Sequence, residues 1–208
     1  MADELVFYTN PMSRGRIARW MLEELGVPYR AEIVAYGPVM KAPDYTAINP
    51  MGKVPAIAHN GQVVTEVAAI LAYLADAFPA AGLAPAPTEP ARGAYYRWLF
   101  FAAGPLEQAV VNRSFGFELP ADGSGRAGYG SLADVLHTLE AAVSGQEFLA
   151  GNRFSAADLY VAAHLGWGMM SGGIEKRPAF ERFVTSKMTR PAAVKARNID
   201  DRLMAANK

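Results

Sequence analysis

Residues 5–34 read Leu5-Val6-Phe7-Tyr8-Thr9-Asn10-Pro11-Met12-Ser13-Arg14-Gly15-Arg16-Ile17-Ala18-Arg19-Trp20-Met21-Leu22-Glu23-Glu24-Leu25-Gly26-Val27-Pro28-Tyr29-Arg30-Ala31-Glu32-Ile33-Val34. Leu5 to Thr9 is short, β-branched and aromatic, which predicts a buried strand. Asn10-Pro11-Met12 breaks it. Ser13 then has the character of a helix N-cap, and Ile17, Trp20, Met21 and Leu25 follow at helical spacing. Gly26 sits where a helix C-terminus favours the left-handed conformation, and Pro28 lies just beyond. Tyr29 to Val34 predicts a second strand. Strand, helix, strand in this order implies a parallel pair joined by a right-handed crossover.

Working outward, residues 35–52 are irregular, with a short helix expected around Pro43 to Ile48. Val54 to Ala58 predicts a third strand, and the proline near its start suggests an edge position or a cis bond. Asn60-Gly61 is a strong hairpin signal, after which Gln62 to Thr65 returns as a fourth strand. Glu66 to Phe78 is helical, with Ile70, Leu71 and Leu74 on one side. The result is an α/β sandwich of about 80 residues whose order of elements is thioredoxin-like. Pro79 to Pro90 holds four prolines and no periodicity, which makes it a stiff connection. Beyond it the pattern is helical. Arg92 to about Val111 carries Tyr95, Trp98, Leu99, Ala102 and Leu106 at helical spacing. With Phe100 and Phe101 on its other faces, this helix is expected to be central and buried. Residues 118–130 read as a loop, and helices follow at Leu132 to Val143, Ser155 to Met170, Pro178 to Lys187 and Ala192 to Ala206. The expected division is a first domain at 1–80, a linker at 81–90 and an all-helical domain at 91–208.

Composition narrows the function. The chain has 208 residues, 51% of them hydrophobic and 19% charged, a globular balance able to build a core. Lys plus Arg and Asp plus Glu both number 20, so there is no broad electrostatic footprint for nucleic acid. With no cysteine, disulfides, thiolate metal sites and a protein thiol nucleophile are excluded. His59, His137 and His164 are widely separated and lack ligand spacing, so no metal is expected. Met1-Ala2-Asp3-Glu4 is acidic and leads into no apolar leader segment, and the longest apolar run falls far below the roughly 20 residues of a membrane span. A cytoplasmic protein without nucleic-acid or membrane partners is expected.

Three local patterns converge: Tyr8 to Arg16 at a strand-to-helix turn, Asn49-Pro50-Met51-Gly52-Lys53-Val54-Pro55-Ala56 before the hairpin, and Thr65-Glu66-Val67-Ala68-Ala69-Ile70 at a second strand-to-helix turn. Together they resemble the glutathione-binding domain of the cytosolic glutathione transferases. Gly151-Asn152-Arg153-Phe154-Ser155-Ala156-Ala157-Asp158 resembles the capped helix of that family's helical domain. The resemblance runs from about residue 4 to residue 205 and implies a thioredoxin-like domain followed by a helical one. It also implies a homodimer, glutathione as co-substrate, and a small apolar electrophile as second substrate.

The same resemblance distributes roles. In serine-type members a hydroxyl at the position of Ser13 donates to the glutathione sulfur. A thiol titrating near 8.5 is mostly protonated at pH 7, and a hundredfold gain in thiolate takes about 2.7 kcal/mol. A hydrogen bond to a charged group supplies about 1.5–3 kcal/mol and a helix N-terminus about 0.3–1. Tyr8 is the alternative donor, since another branch of the family uses a tyrosine near the end of this strand; Arg14 and Arg16 add positive potential. Val54, before a cis Pro55, is implied to pair its main chain with the cysteinyl unit of the ligand. Glu66 is implied to pair with the γ-glutamyl ammonium, and the helix it opens to hold the γ-glutamyl carboxylate. The family usually places a serine after this acid. Val67 has no hydroxyl, which leaves its N–H and the neighbouring Thr65. Lys41 or Lys53 would meet the glycyl carboxylate. Phe101 and Trp167, among the apolar group Trp98, Phe101, Trp167, Met169 and Met170, would line the second-substrate pocket. Ser155 and Asp158 have capping-box spacing and a structural role. Two other readings share the scaffold: glutathione-dependent peroxide or disulfide reduction, and a non-catalytic interaction protein that has lost the site.

Overall fold

Alternation along β1 (Val6–Thr9) divides its side chains between two layers. Phe7 is fully buried and stacks edge-on against Tyr29, while Tyr8 packs on a separate cluster of Val34, Met40 and Tyr45. The computed structural model describes residues 4–120 and 122–206. From β1 the chain enters α1 (Gly15–Leu25), which ends at Gly26 in the left-handed conformation (φ 66°). β2 (Arg30–Ile33) pairs parallel with β1, the product of the expected crossover. Two single-turn helices, α2 (Pro38–Lys41) and α3 (Pro43–Thr46), fill the segment where one was expected. β3 (Ala56–His59) and β4 (Gln62–Thr65) form the hairpin, turning through Asn60 and Gly61 at φ 52° and 70°. α4 (Val67–Ala77) follows and packs on α1.

The strand order is β2-β1-β3-β4, with β1 and β3 antiparallel. β3 is therefore an interior strand, not an edge. Pro55 escapes the ladder because it precedes the first paired residue, Ala56, and the Val54–Pro55 bond is cis.

The second half opens with Leu83 and Pro85 buried in what the sequence marks as a linker. Arg92 anchors this segment, donating to the Pro85 carbonyl at 2.8 Å and stacking on Tyr96. α5 (Ala91–Phe101) runs into a wider π turn at Ala102–Leu106 and continues as α6 (Glu107–Ser114). Pro105 lies in that turn; it lacks an N–H and would clash in regular α geometry, which the widened turn relieves. The expected all-round burial of this helix does not hold. Tyr95, Trp98 and Leu99 are buried, whereas Phe100 is 69% exposed. α7 (Leu132–Gly145), α8 (Ala156–Ser171), α9 (Pro178–Met188) and α10 (Pro191–Ala206) follow the expected helices closely.

By packing, the chain forms two units: the described residues of Met1–Ala81 with Arg190–Lys208, and those of Gly82–Thr189. α10, grouped with the helical half in the sequence reading, packs on α1 in the first unit. Ala193 and Ala196 of α10 are buried, and its charges pair with those of α1. Arg190 meets Glu24, Lys195 meets Glu23, Asp200 meets Arg19 and Asp201 meets Arg16.

In the second unit, Asp158 opens α8. Its Oδ2 accepts from the Ser155 N–H at 2.9 Å and the Ser155 hydroxyl at 2.8 Å, and its Oδ1 from the Leu149 N–H at 2.7 Å. Burial pushes this carboxyl above the usual aspartate range, although its hydrogen bonds pull the other way. The folded state therefore holds a proton at pH values where the unfolded chain has released it. The stability from this shift is fully present below the unfolded pKa and is lost as pH rises through the folded value. Asp158→Asn turns one acceptor into a donor and should cost roughly 2–4 kcal/mol by orphaning at least one buried donor. Urea unfolding between pH 4.5 and 7 should show the wild-type advantage over this variant shrinking as pH rises; a growing advantage would refute the assignment.

Candidate functional site

The strand register fixes the site. Glu32, Tyr8, Ala56 and Thr65 lie in one row across the sheet. β1 leaves the sheet just past this row toward Ser13, β3 enters it just after Val54-Pro55, and β4 leaves it at Glu66. The three motifs read from the sequence thus gather at one end of the sheet.

The turn after β1 is built by Asn10, which sequence reasoning took only as a strand break. Its Nδ2 donates to the Val34 carbonyl at 2.9 Å, its Oδ1 accepts from Met12 N–H at 3.0 Å, and its carbonyl accepts from Ser13 N–H at 3.0 Å. Asn49 repeats the arrangement before β3. Its Oδ1 accepts from Met51 N–H at 3.0 Å, its Nδ2 donates to the Lys53 carbonyl at 2.8 Å, and its carbonyl accepts from Gly52 N–H at 2.7 Å. An Asn-Pro-Met tripeptide occurs at both places. An asparagine side chain that mimics a backbone turn ahead of a proline is the signal that could have found them.

Ser13 precedes α1 but is not its N-cap; the helix begins at Gly15 after Arg14, which makes no side-chain cap. The Ser13 hydroxyl nonetheless accepts from Gly15 N–H at 2.9 Å and donates to the Asn10 carbonyl at 2.7 Å. Accepting an N–H at a helix N-terminus polarises the O–H and strengthens it as a donor. A side chain on Gly15 would collide with Thr9 Oγ1 and stand 2.9 Å from Ser13 Oγ, so only glycine lets the helix start this close to the strand. Tyr8 is half-buried, with its ring 6.1 Å from Tyr45, and among the described residues its hydroxyl has no protein partner. Tyr45 is pushed up to about 12 by burial and, less, by Tyr8. It stays protonated and donates to the Lys53 carbonyl at 2.6 Å.

The Lys53 carbonyl is thus doubly held, which fixes the strand leading to Val54. Among the described residues, neither the N–H nor the C=O of Val54 has a protein partner. Lys41 and Lys53 differ. The Lys41 ammonium donates to the carbonyls of Met51 and Gly52 at 2.8 and 2.9 Å and so pins the loop. Lys53 is exposed, and among the described residues its ammonium has no protein partner.

Glu66 occupies the N-cap of α4 with φ 65° and ψ 124°, a conformation that costs a non-glycine residue about 1–3 kcal/mol. Its side chain does not cap the helix and is exposed. Among the described residues, the first protein-bonded N–H is that of Ile70, so those of Val67, Ala68 and Ala69 stand open at the positive end of the helix. Sequence reasoning named only the first of these. An exposed carboxylate beside open N–H groups suits a ligand carrying both an ammonium and a carboxylate.

In the second unit, Phe101 is half-buried and edge-on to Trp98 at 5.4 Å, and Trp167 on α8 is 62% exposed. His59 is hydrogen-bonded to Tyr73 at 2.9 Å, and His164 faces Glu107 at 3.5 Å. Among the described residues, no three His, Asp or Glu side chains gather as metal ligands, and no helix is long and apolar enough to cross a membrane.

Residues 12–77 match the family model of the glutathione S-transferase N-terminal domain, and residues 129–191 that of the C-terminal domain. The chain belongs to the glutathione S-transferase family. Glutathione S-transferase GST-4.5 of Xanthomonas campestris pv. campestris is 28% identical over 203 residues, spanning 93% of this chain and 98% of that protein. A glutathione transferase structure from Methylococcus capsulatus superposes with a TM-score of 0.79 at 29% identity, over 95% of this chain and 98% of that one. A sphingomonad glutathione S-transferase complexed with glutathione gives 0.74 at 29% identity, over 94% and 98%. The thioredoxin-like sheet domain and the helical C-terminal domain expected from the sequence are those of the glutathione S-transferase family.

Proposed function

We propose that this protein is a serine-type glutathione transferase, joining the glutathione thiolate to an electrophilic carbon of a small apolar molecule. The observation that carries the reading is the end of the sheet where Ser13, the open main chain of Val54 and the open N-terminus of α4 beside Glu66 come together. Glutathione matches these features in order. Its γ-glutamyl carboxylate takes the open N–H groups of α4 and its ammonium takes Glu66. Its cysteinyl amide pairs with Val54, and its glycyl carboxylate meets Lys53 while Lys41 holds the loop. The sulfur comes to Ser13, whose hydroxyl turns from the Asn10 carbonyl to the thiolate and keeps its bond from Gly15. That the sphingomonad relative was solved with glutathione supports the ligand.

The chemistry is a displacement or addition by sulfur. The thiol proton leaves to solvent, the S–C bond forms, and any leaving group departs with its electron pair. Phe101 and Trp167 are the apolar side chains we assign to the second substrate. Residues 1–80 serve as the glutathione-binding domain, with α10 packed on it, and the helices from α5 to α9 as the second-substrate domain. The working form is a homodimer, as the family resemblance implies, and it works in the cytoplasm without a metal, as composition and histidine spacing suggest.

The test is the ultraviolet absorbance of the bound thiolate across pH, with product analysis. A bound thiol titrating well below the free one, and a thioether product, support the reading. Oxidised glutathione as the product would replace it by reduction, and no binding would replace it by the interaction role. Val67 supplies a further prediction. Val67→Ser adds a hydroxyl beside the proposed carboxylate site, and one hydrogen bond to a charged group should tighten glutathione about tenfold. Calorimetric titration checks it; an unchanged Kd would place the γ-glutamyl end elsewhere.

A further inference from the structure

The charges on α1 and α10 run against the local rule. Helix dipoles favour acids early and bases late. α1 instead carries Arg16 and Arg19 in its first half and Glu23 and Glu24 in its second, while α10 has Lys195 early and Asp200 and Asp201 late. The reversal makes sense as an antiparallel ladder, whose rungs are Arg190 to Glu24 at 2.7 Å, Lys195 to Glu23 at 2.6 Å, Arg19 to Asp200 at 2.8 Å and Arg16 to Asp201 at 2.6 Å. The third rung is buried and fixes the helix in register. The last rung reaches the turn that carries Ser13. The Arg16 guanidinium donates through Nη2 to Asp201 and through Nη1 to the Pro11 carbonyl at 3.2 Å, with Met204 Sδ 3.3 Å from that Nη1.

We infer that α10 positions the Ser13 turn, with Asp201 as a positioning residue that acts on it through Arg16. Main-chain bonds from Ser13 N–H to the Asn10 carbonyl and from Arg16 N–H to the Ser13 carbonyl also cross the turn. Asn10 holds its start and Gly15 its end, while Met12 between them is exposed and Tyr36 reaches its carbonyl only at 3.3 Å. A planar guanidinium can serve carboxylate, sulfur and carbonyl at once, which a lysine ammonium on a flexible stem does less well. The consequence for the thiol is indirect. Where the Pro11 carbonyl sits decides where Met12, Ser13 and the hydroxyl sit. The inference rests on the proposed role of Ser13.

The experiment compares wild type, Asp201→Asn and Asp201→Glu by amide hydrogen exchange resolved to residues 11–16 and to α10, alongside the pH titration of bound glutathione and its KM and kcat. In Asp201→Asn, exchange in the Ser13 turn should rise by up to about fivefold, the factor set by a half-exposed ion pair. The bound thiol should titrate nearer the free value and KM for glutathione should rise, while α10, still anchored by Asp200, keeps its protection. Asp201→Glu should restore the wild-type pattern. Unchanged exchange and thiol titration in Asp201→Asn would overturn the inference. So would loss of protection along the whole of α10, because the effect would then be one of docking alone. If wild type fails to bind glutathione, the proposed function falls, and the exchange data still decide whether α10 holds the turn.

Discussion

Ser13→Ala should lower kcat/KM for glutathione conjugation by about 10- to 150-fold at pH 6.5, the range given by a hydrogen bond to a charged group worth about 1.5–3 kcal/mol. The loss should fall mainly on the thiol. The bound sulfur should titrate close to its free value, so the deficit narrows as pH rises past about 8.5 and solution itself supplies the thiolate. Binding should suffer less, since in the proposed site Val54, Glu66 and the α4 N-terminus would hold the rest of the tripeptide. The fold should lose about 1–3 kcal/mol, because the N–H of the buried Gly15 loses its partner. Tyr8→Phe is the control. Its hydroxyl has no protein partner among the described residues, which leaves it available as a donor, so the comparison is a fair contest. A full-sized loss in Tyr8→Phe with a mild one in Ser13→Ala would transfer the role to the tyrosine. Stopped-flow absorbance on both variants with a chromogenic electrophile decides it.

What was legible in the sequence was chemistry that acts within a few residues. Asn60-Gly61 turned the chain as expected because both residues tolerate positive φ. Gly26 ended α1, and Ser155 with Asp158 opened α8, because a cap needs only its own turn. The site motifs were legible as far as they are local: Ser13, Val54 and Glu66 sit at chain breaks that propensity announces. What failed needs partners distant in sequence. Nothing near Pro55 says that β3 lies between two strands, since that depends on β1 pairing from the far side. Lys41 looked like a ligand cation, but its ammonium closes a loop whose carbonyls lie ten and eleven residues away. The burial of α5 was overstated because hydropathy cannot tell Phe100, which is exposed, from Leu99, which is not. α10 was placed with the other helices because it is a helix. Its partner is revealed only when its charges are set against those of α1, about 180 residues earlier.

That pairing leads to the largest expected effect on stability. Asp200→Leu should destabilise the protein by about 3–5 kcal/mol, because it strands the Arg19 guanidinium in a site that is 2% exposed. Arg19 also donates to Tyr29 at 3.0 Å and lies over the Phe7 ring at 5.2 Å, but neither contact neutralises its charge. Tyr29, pushed up to about 12 chiefly by burial and by its bond to Glu23, stays protonated and gives no anion. The pair itself does not follow the same arithmetic. Burial pushes the Asp200 carboxyl above its ordinary range even though Arg19 pulls it down, so desolvation outweighs the attraction. Among the described residues, Arg19 Nη2 and Asp200 Oδ2 also lack hydrogen-bond partners, which removes part of what would offset that burial. The double variant Arg19→Met with Asp200→Leu should therefore regain most of the loss and match or exceed wild type in urea unfolding. A double variant as unstable as the single one would mean that the ion pair is net stabilising. If the double variant is stable, the pair's value lies in register: two apolar side chains tolerate a sliding helix, whereas one guanidinium and one carboxylate do not. Asp201 would then lose its fixed place opposite Arg16, and exchange in the Ser13 turn should rise even though the unfolding midpoint does not fall.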